Sequence, residues 1–242
     1  MEKKFDKFIE RWSPSSAAER ANKDLFLSEL CDVLDVPRPE PSTGDPDLDL
    51  YVFEKPVRVP GEDGATQKKM DLYKNSCFIL EAKQGSEQGS KKIGTAKRGT
   101  PGWNIAIRDA FGQALGYARG FNVPPPFIIV CDIGYCFDLY ASFDSSGDYR
   151  PFPNAQISRL FFKDLEKHKD LLRKVWIDPL SLDPALQSQK VTRDVAAHLA
   201  DIAKSLEKDG YSNESIAQFL MRCIFTMFAE DVGLWWTETP SS

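Results

Sequence analysis

Apolar positions recur with two different periods along this chain, and the change of period predicts the order of its elements. Near the N-terminus apolar residues return every three to four positions, which predicts one helix that ends at Ser13-Pro14 and a second that runs to about Leu34. The second helix begins with a capping-box pattern at 16–19. The residues predicted to face inward from it are Ala21, Leu25, Leu30, Val33 and Leu34.

The period then changes, and three strands are predicted at 51–59, 69–73 and 77–83. A helix at 103–120, a buried strand at 127–131 and a further strand at 135–142 follow. Two amphipathic helices are predicted near the end of the chain, at 191–206 and 213–230. This order predicts an α/β fold with a mixed central sheet flanked by helices, followed by a small all-α region.

The third predicted strand carries the most informative chemistry of the chain. Alternation along it places Phe78, Leu80 and Ala82 on one apolar face, and Glu81 and Lys83 on the other. An acid and an amine beside a buried strand cost free energy unless they pair, bind a metal or do chemistry. This strand end is therefore the first candidate for a functional site.

The connection between the second and third strands decides whether Asp71 joins that site. A two-residue turn at Asn75-Ser76 would pair Asp71 with Leu80, on the apolar face. A three-residue connection is expected to pair Asp71 with Ile79 and so to place it beside Glu81. A metal site at the strand end requires the second arrangement.

Composition narrows the classes of function. The 242 residues are 42% hydrophobic and 28% charged, and they contain neither an apolar run of membrane-spanning length nor a signal peptide, so a cytoplasmic protein without membrane contact is expected. The two histidines, His168 and His198, lie in charged helical stretches, which counts against a zinc site or a Ser-His-Asp hydrolase.

A basic, glycine-containing loop follows the third strand, although the chain as a whole has a net charge of −5. Charge can be local, and the position of this loop beside the acidic strand end favours contact with phosphates over a merely solvated surface. The residues predicted to contact DNA are Lys91, Lys92, Lys97 and Arg98.

Asp71, Glu81 and Lys83 together resemble the PD-(D/E)xK nuclease signature, with Met70 in place of its proline. Gln113-Ala114-Leu115-Gly116-Tyr117 in the next helix resembles the QxxxY motif of the RecB-like branch, whose two side chains lie one helical turn apart. The ordered set of a helix acid, a strand Asp, the Glu-x-Lys strand and the QxxxY helix is more specific than the Glu-Ala-Lys motif alone. It implies a nuclease core of the restriction-endonuclease type.

A second resemblance covers almost the whole chain. Six segments are similar to the N-terminal part of MmeI-like enzymes, which are single-chain type II restriction-modification proteins: 19–22, 26–31, 80–85, 111–115, 149–152 and 219–231. The resemblance implies a nuclease domain over 1–175 and the start of a helical spacer over 176–242. In that family an adenine-specific methyltransferase and a target-recognition domain follow. No DPPY or NPPY motif and no glycine-rich methyl-donor loop occurs here, so S-adenosylmethionine is implied only for the absent methyltransferase part.

The resemblance implies roles for these residues in the hydrolysis of double-stranded DNA, carried out by an oligomer on the DNA. Asp71, Glu81 and the Ala82 carbonyl would hold Mg²⁺, which prefers oxygen ligands, and Lys83 would orient or deprotonate the attacking water. Gln113 and Tyr117 would contact phosphate or hold the lysine and the water, and Glu29 would support the site or a second metal. Two alternatives stay open: an inactive nuclease-fold domain for DNA binding or scaffolding, and a RecB-like repair nuclease.

Overall fold

The chain forms two units of unequal size, Met1–Asp183 and Pro184–Ser242. This computed structural model describes residues 2–13, 19–59, 66–86 and 96–231. The elements of the first unit are α1 (Glu2–Trp12), α2 (Glu19–Leu34), β1 (Tyr51–Val59), β2 (Thr66–Lys74), β3 (Phe78–Lys83), α3 (Pro101–Ala118), β4 (Phe127–Asp132), β5 (Cys136–Ala141), β6 (Arg150–Pro151), β7 (Arg159–Phe161), a 3₁₀ segment (Phe162–His168), α4 (Lys169–Ile177) and a second 3₁₀ segment (Pro179–Leu182).

The strands form one mixed sheet in the order β1-β2-β3-β4-β5-β6, with β7 also paired to β5. Strands β3 and β4 run parallel, and the other neighbouring pairs run antiparallel. The parallel pair needs a crossover, and α3 supplies it. The predicted α/β fold with a mixed, helix-flanked sheet is thus confirmed. The short strands β6 and β7 and the helix α4 were not predicted.

The two faces of β3 pack into two different cores, as the alternation of its side chains predicts. Phe78, Leu80 and Ala82 are fully buried in the larger core, which helices α1, α2 and α4 cover. Ile79 lies on the opposite face, in a smaller core with Tyr117 of α3. The side chains on the α3 side of β3 are therefore those of Ile79, Glu81 and Lys83.

The inward face of α2 differs from the predicted one. Leu25 is 49% exposed, and the buried stripe of the helix consists of Phe26, Leu27, Leu30, Cys31 and Leu34. These positions recur every three to four residues, so the period was recognised but assigned to a face about one residue out of phase.

The β2–β3 hairpin has the three-residue connection that a site at the strand end requires. The ladder pairs Lys74 with Phe78, Tyr73 with Ile79 and Leu72 with Leu80. Asp71 therefore stands opposite Glu81 itself, and the expected partner Ile79 was wrong by two residues. Because the side-chain period of a strand is two, Ile79 and Glu81 share a face of β3, so the shift keeps Asp71 beside the glutamate as the site requires.

The second unit contains two helices, α5 (Pro184–Lys208) and α6 (Asn213–Asp231). Helix α5 begins seven residues before the predicted start at Val191. Trp176, which the predicted boundary after residue 175 places in the spacer, is fully buried in the first unit, with its ring centroid 4.4 Å from that of Phe78. None of the helices among the described residues has the length and apolar character needed to cross a bilayer.

Candidate active site

Glu81 is a buried carboxylate whose two oxygens have different surroundings. The residue is 1% exposed, and its Oε2 accepts a hydrogen bond of 2.9 Å from Gln113 Nε2. Lys83 Nζ lies 3.8 Å from the same oxygen, and the lysine side chain is 28% exposed. The other oxygen, Oε1, is buried without a hydrogen-bond partner. A buried carboxylate oxygen without a donor is costly, and such an atom is a candidate ligand for a cation.

Asp71 is held at the point where the hydrogen-bond ladder between β2 and β3 ends. Its Oδ2 accepts a 2.8 Å hydrogen bond from the backbone N–H of Ala82, and its Oδ1 lies 2.7 Å from Lys23 Nζ. The aspartate carboxylate thus takes the N–H that another ladder step would have used. Since the N–H and C=O of a strand residue point to the same side, the Ala82 carbonyl is directed toward β2 as well.

Burial, together with the nearby charge of Asp71, raises the pKa of Glu81 to about 8. Burial is the main cause, and the negative charge of Asp71 adds to it, while Lys83 acts in the opposite direction. The carboxyl is therefore largely protonated at neutral pH in the absence of a cation. A divalent ion at this position would reverse the preference, because it stabilises the carboxylate form.

Helix α3 contributes the polar side chains that line the other side of the site. Its N-terminus is capped by Thr100, whose side chain accepts from Trp103 N, and Pro101 occupies the first turn. Gln113 and Tyr117 lie one helical turn apart, and Gln113 Nε2 also lies 2.5 Å from the tyrosine hydroxyl. The chain Tyr117–Gln113–Glu81 joins the helix to the strand end.

The ring of Tyr117 is a core residue as well as a member of this chain. The residue is 1% exposed and packs in the core between α3 and the sheet. Burial, followed by the charge of Glu81, raises the pKa of Tyr117 to about 12, so its hydroxyl is neutral. Its placement fits support of Gln113 better than direct contact with phosphate.

Two charged residues of this site were missed in the sequence analysis. Lys23 of α2 is 6% exposed and bonds both Asp71 and Glu54. Glu54, on β1, stands opposite Asp71 in the register of the β1–β2 ladder. Lys23 did carry a signal, because it continues the buried stripe of α2 three and four residues before Phe26 and Leu27.

The contacts of Glu29 are with helix α1 and not with the three proposed catalytic groups. Its Oε2 accepts a 2.8 Å hydrogen bond from Trp12 Nε1, and its Oε1 lies 3.2 Å from Arg11 Nη2. Both partners belong to α1. These contacts do not support the predicted role of Glu29 at a metal site. They indicate instead that Glu29 joins α1 to α2.

The basic residues predicted to contact DNA fall into three groups. Lys91 and Lys92 lie outside the described residues, and Lys97 is exposed, so its phosphate contact stays a prediction. Arg98 is 5% exposed, and its guanidinium donates to both carboxylate oxygens of Asp132 and, at 2.8 Å, to the Ile133 carbonyl. A buried and paired guanidinium is not available to a phosphate, which corrects the prediction for Arg98.

Asp132 and Asp138, acids of the neighbouring strands, are committed to structure. Asp132 also accepts from Trp103 Nε1 at 2.7 Å and from the Gly85 amide at 3.0 Å. Asp138 accepts two hydrogen bonds from Arg159. These hydrogen bonds occupy both carboxylates, so neither acid is a candidate metal ligand.

The residues at the strand end fit a divalent cation in part. Within the described ranges no three His, Cys, Asp or Glu side chains gather closely enough to hold a metal by themselves. Two carboxylates near a strand carbonyl, with one carboxylate oxygen lacking a donor, offer the kind of oxygen ligands that Mg²⁺ takes together with water. These oxygen donors suit Mg²⁺ better than Zn²⁺, which favours the nitrogen and sulfur of His and Cys.

Comparison with family models gives a match over most of the chain. The model described as "MmeI, N-terminal domain" matches residues 2–209. The chain belongs to the MmeI family. The model described as "MmeI, helicase spacer domain" matches residues 214–241 of this MmeI-family chain. No curated protein and no solved structure matches the chain.

Membership in the MmeI family confirms the resemblance drawn from the sequence and gives the chain a restriction-modification context. The family models divide the chain between 209 and 214, whereas the contacts divide it after Asp183. In this MmeI-family chain, α5 thus falls within the match to the N-terminal domain although it lies in the second structural unit.

Proposed function

We propose that this chain is the Mg²⁺-dependent DNA endonuclease module of a restriction-modification enzyme. The observation that carries the proposal is the arrangement at the end of β3, where Asp71 stands opposite Glu81 and Lys83 lies 3.8 Å from the buried glutamate. The family match supplies the context, since a restriction enzyme hydrolyses phosphodiester bonds of double-stranded DNA.

Each residue of the site has a role that its contacts support. Asp71 and Glu81 would hold Mg²⁺ together with the Ala82 carbonyl. When bound, the ion would neutralise charge on the phosphate and lower the pKa of a bound water. Gln113 fixes the orientation of Glu81 through Oε2 and leaves Oε1 to face the ion.

Lys83 is the proposed group that takes or holds the proton of the attacking water. Its side chain is more exposed than that of Glu81, and its Nζ lies 3.8 Å from the glutamate Oε2, beyond hydrogen-bond distance. The amine could therefore reach a water at the scissile phosphate. Tyr117 would keep Gln113 in place from the buried side.

The two alternative functions have less support. An inactive nuclease-fold domain would have no need to keep Asp71, Glu81 and Lys83 together on one face. A RecB-like repair nuclease shares the QxxxY pattern, but the family match covers residues 2–209 and points to restriction.

The proposal is tested with Lys83→Ala in the enzyme that contains this chain. Loss of the amine should lower DNA cleavage with Mg²⁺ by at least about a hundredfold, the usual range for a general base. Circular dichroism and melting temperature should stay unchanged because the side chain is partly exposed. Lys69→Ala is the matched control, since it removes a strand lysine that is 63% exposed. Cleavage by Lys83→Ala at the rate of the parent enzyme would refute the catalytic assignment.

A further inference from the structure

Lys23 is the most deeply buried lysine of the candidate site. It lies on α2, whereas the signature residues Asp71, Glu81 and Lys83 lie on β2 and β3. Its Nζ lies 2.7 Å from Asp71 Oδ1 and also bonds Glu54 Oε1. Its side chain is 7% exposed, in contrast to the 28% of Lys83. Burying a lysine costs free energy unless its charge is paired; here Asp71 and Glu54 bond the ammonium, and Asp24 Oδ1 lies 3.9 Å from it.

The backbone of the sheet is distorted at the position where these two carboxylates stand. The β1–β2 ladder pairs Phe53 with Leu72 and Lys55 with Met70, so Glu54 and Asp71 lie opposite each other between these pairs. Glu54 has a φ of 53°, a left-handed conformation that is unusual for a residue other than glycine.

Both strands exchange faces at this point. Phe53 and Leu72 pack in the larger core, whereas Val57 and Met70 pack in the smaller core beside α3. Strict alternation would have kept Leu72 and Met70 on one face. The exchange turns Glu54 and Asp71 toward the same ammonium group, and backbone strain of this kind persists where surrounding contacts enforce it.

The resulting arrangement matters for any cation that Asp71 binds. One ammonium group already contacts Asp71 Oδ1, so a divalent ion on the same carboxylate would lie about 4 Å from a like charge. Even in the dielectric of water, this repulsion corresponds to a change in affinity of about tenfold or more. Lys83 has a weaker effect on Asp71, because its nearest acidic contact is Glu81.

We propose that Lys23 is a resident counter-ion of Asp71, which stabilises the cation-free site and makes divalent-ion binding weaker than the acids alone would give. This inference rests on the proposed function, since it concerns the same Asp71. Lys23 is a positioning residue: it contacts the ligand carboxylate, not the reacting atoms.

The experiment measures the affinity of the full chain for Mn²⁺ by calorimetric titration, with Mg²⁺ as a competitor. Lys23→Met removes the charge but keeps most of the side-chain volume. It should lower the Kd for Mn²⁺ by about tenfold or more, while it lowers the melting temperature of the cation-free protein. Support of Asp71 without electrostatic competition predicts the opposite sign, a raised Kd.

Three further variants make the test independent of folding losses. Lys23→Met combined with Glu54→Gln removes one charge of each sign, so it keeps the net charge and should still bind Mn²⁺ more tightly than the parent chain. Lys23→Arg keeps the charge and should restore the parent affinity. Lys69→Met removes an exposed lysine 4.0 Å from Glu54 and should change the Kd by less than about twofold, because surface charges are screened.

The outcomes separate this inference from the proposed function. If the parent chain binds Mn²⁺ and the two Lys23→Met variants bind it equally or more weakly, the counter-ion role is wrong and the endonuclease proposal stands. If neither the parent nor these variants bind Mn²⁺ or Mg²⁺, the metal site itself is wrong, and the inference falls with it.

Discussion

The parent protein should lose stability between pH 5 and pH 8, and Glu81→Gln should remove most of that loss. Burial and the charge of Asp71 raise the pKa of Glu81 from 4.5 to about 8 in the folded chain. A group with a raised folded pKa contributes stability that is fully present below the unfolded pKa and is lost as the pH rises through the folded value. Glutamine resembles the protonated acid and has no proton to lose.

The size of the effect follows from the same two pKa values. Each unit of pKa difference corresponds to about 1.4 kcal/mol, so ionisation of Glu81 would cost the folded state up to about 3.5 kcal/mol between pH 5 and pH 8. Coupling of the carboxyl to Asp71 and local relaxation reduce this, and about 2 kcal/mol is the expected difference. In a unit of this size that corresponds to roughly 4–8 °C in melting temperature.

The assay is a series of thermal melts of parent and variant, without and with Mg²⁺, at half-unit steps of pH. Comparing the two proteins at each pH cancels the titration of groups that they share. Glu40→Gln is the control, because Glu40 is an exposed residue of the α2–β1 loop. Mg²⁺ should raise the melting temperature of the parent at pH 8 and leave that of Glu81→Gln unchanged. A constant difference in melting temperature between parent and variant over the whole pH range would refute the assignment of Glu81 as a buried acid with a raised pKa.

Three other outcomes follow from contacts around the site. Gly85→Ala should destabilise the chain by about 1–3 kcal/mol in urea unfolding, because a Cβ there would meet Asp132 Oδ2 at 2.7 Å. The control Gly112→Ala places its Cβ with no atom within 4 Å, so it should be neutral or stabilise the chain by up to about 1 kcal/mol. Asp132→Ala should cost roughly 3–5 kcal/mol by the same measurement, since it removes the carboxylate that forms an ion pair with the buried guanidinium of Arg98. A chain that ends at residue 175 should fail to give a cooperative melt while one that ends at residue 183 melts cooperatively, because Trp176 is fully buried against Phe78.

The elements that sequence reasoning recovered are those whose burial pattern is local. Strand β3 was predicted within a residue because its apolar face and its charged face alternate without interruption. Strands β6 and β7 have two and three residues, too short for any period to show, and they exist because β5 offers an edge to pair with. Helix α4 was not predicted although Leu172, Val175 and Trp176 are buried at helical spacing, because its nine residues are too few to give a clear period.

The candidate site divides along the same line. The proximity of Asp71, Glu81 and Lys83 could be predicted because a short hairpin brings them together, and hairpin geometry depends on a few neighbouring residues. Lys23 and Glu54 come from elements separated from that hairpin by loops, and their meeting depends on how α2 packs and on how β1 bends. Yet the buried stripe of α2 ends in a lysine, and a lysine on a core-facing stripe requires a buried acid partner. The sequence therefore indicates that Lys23 needs a buried acidic partner but not which acid it is, and the fold identifies Asp71, the proposed metal ligand, as one such partner.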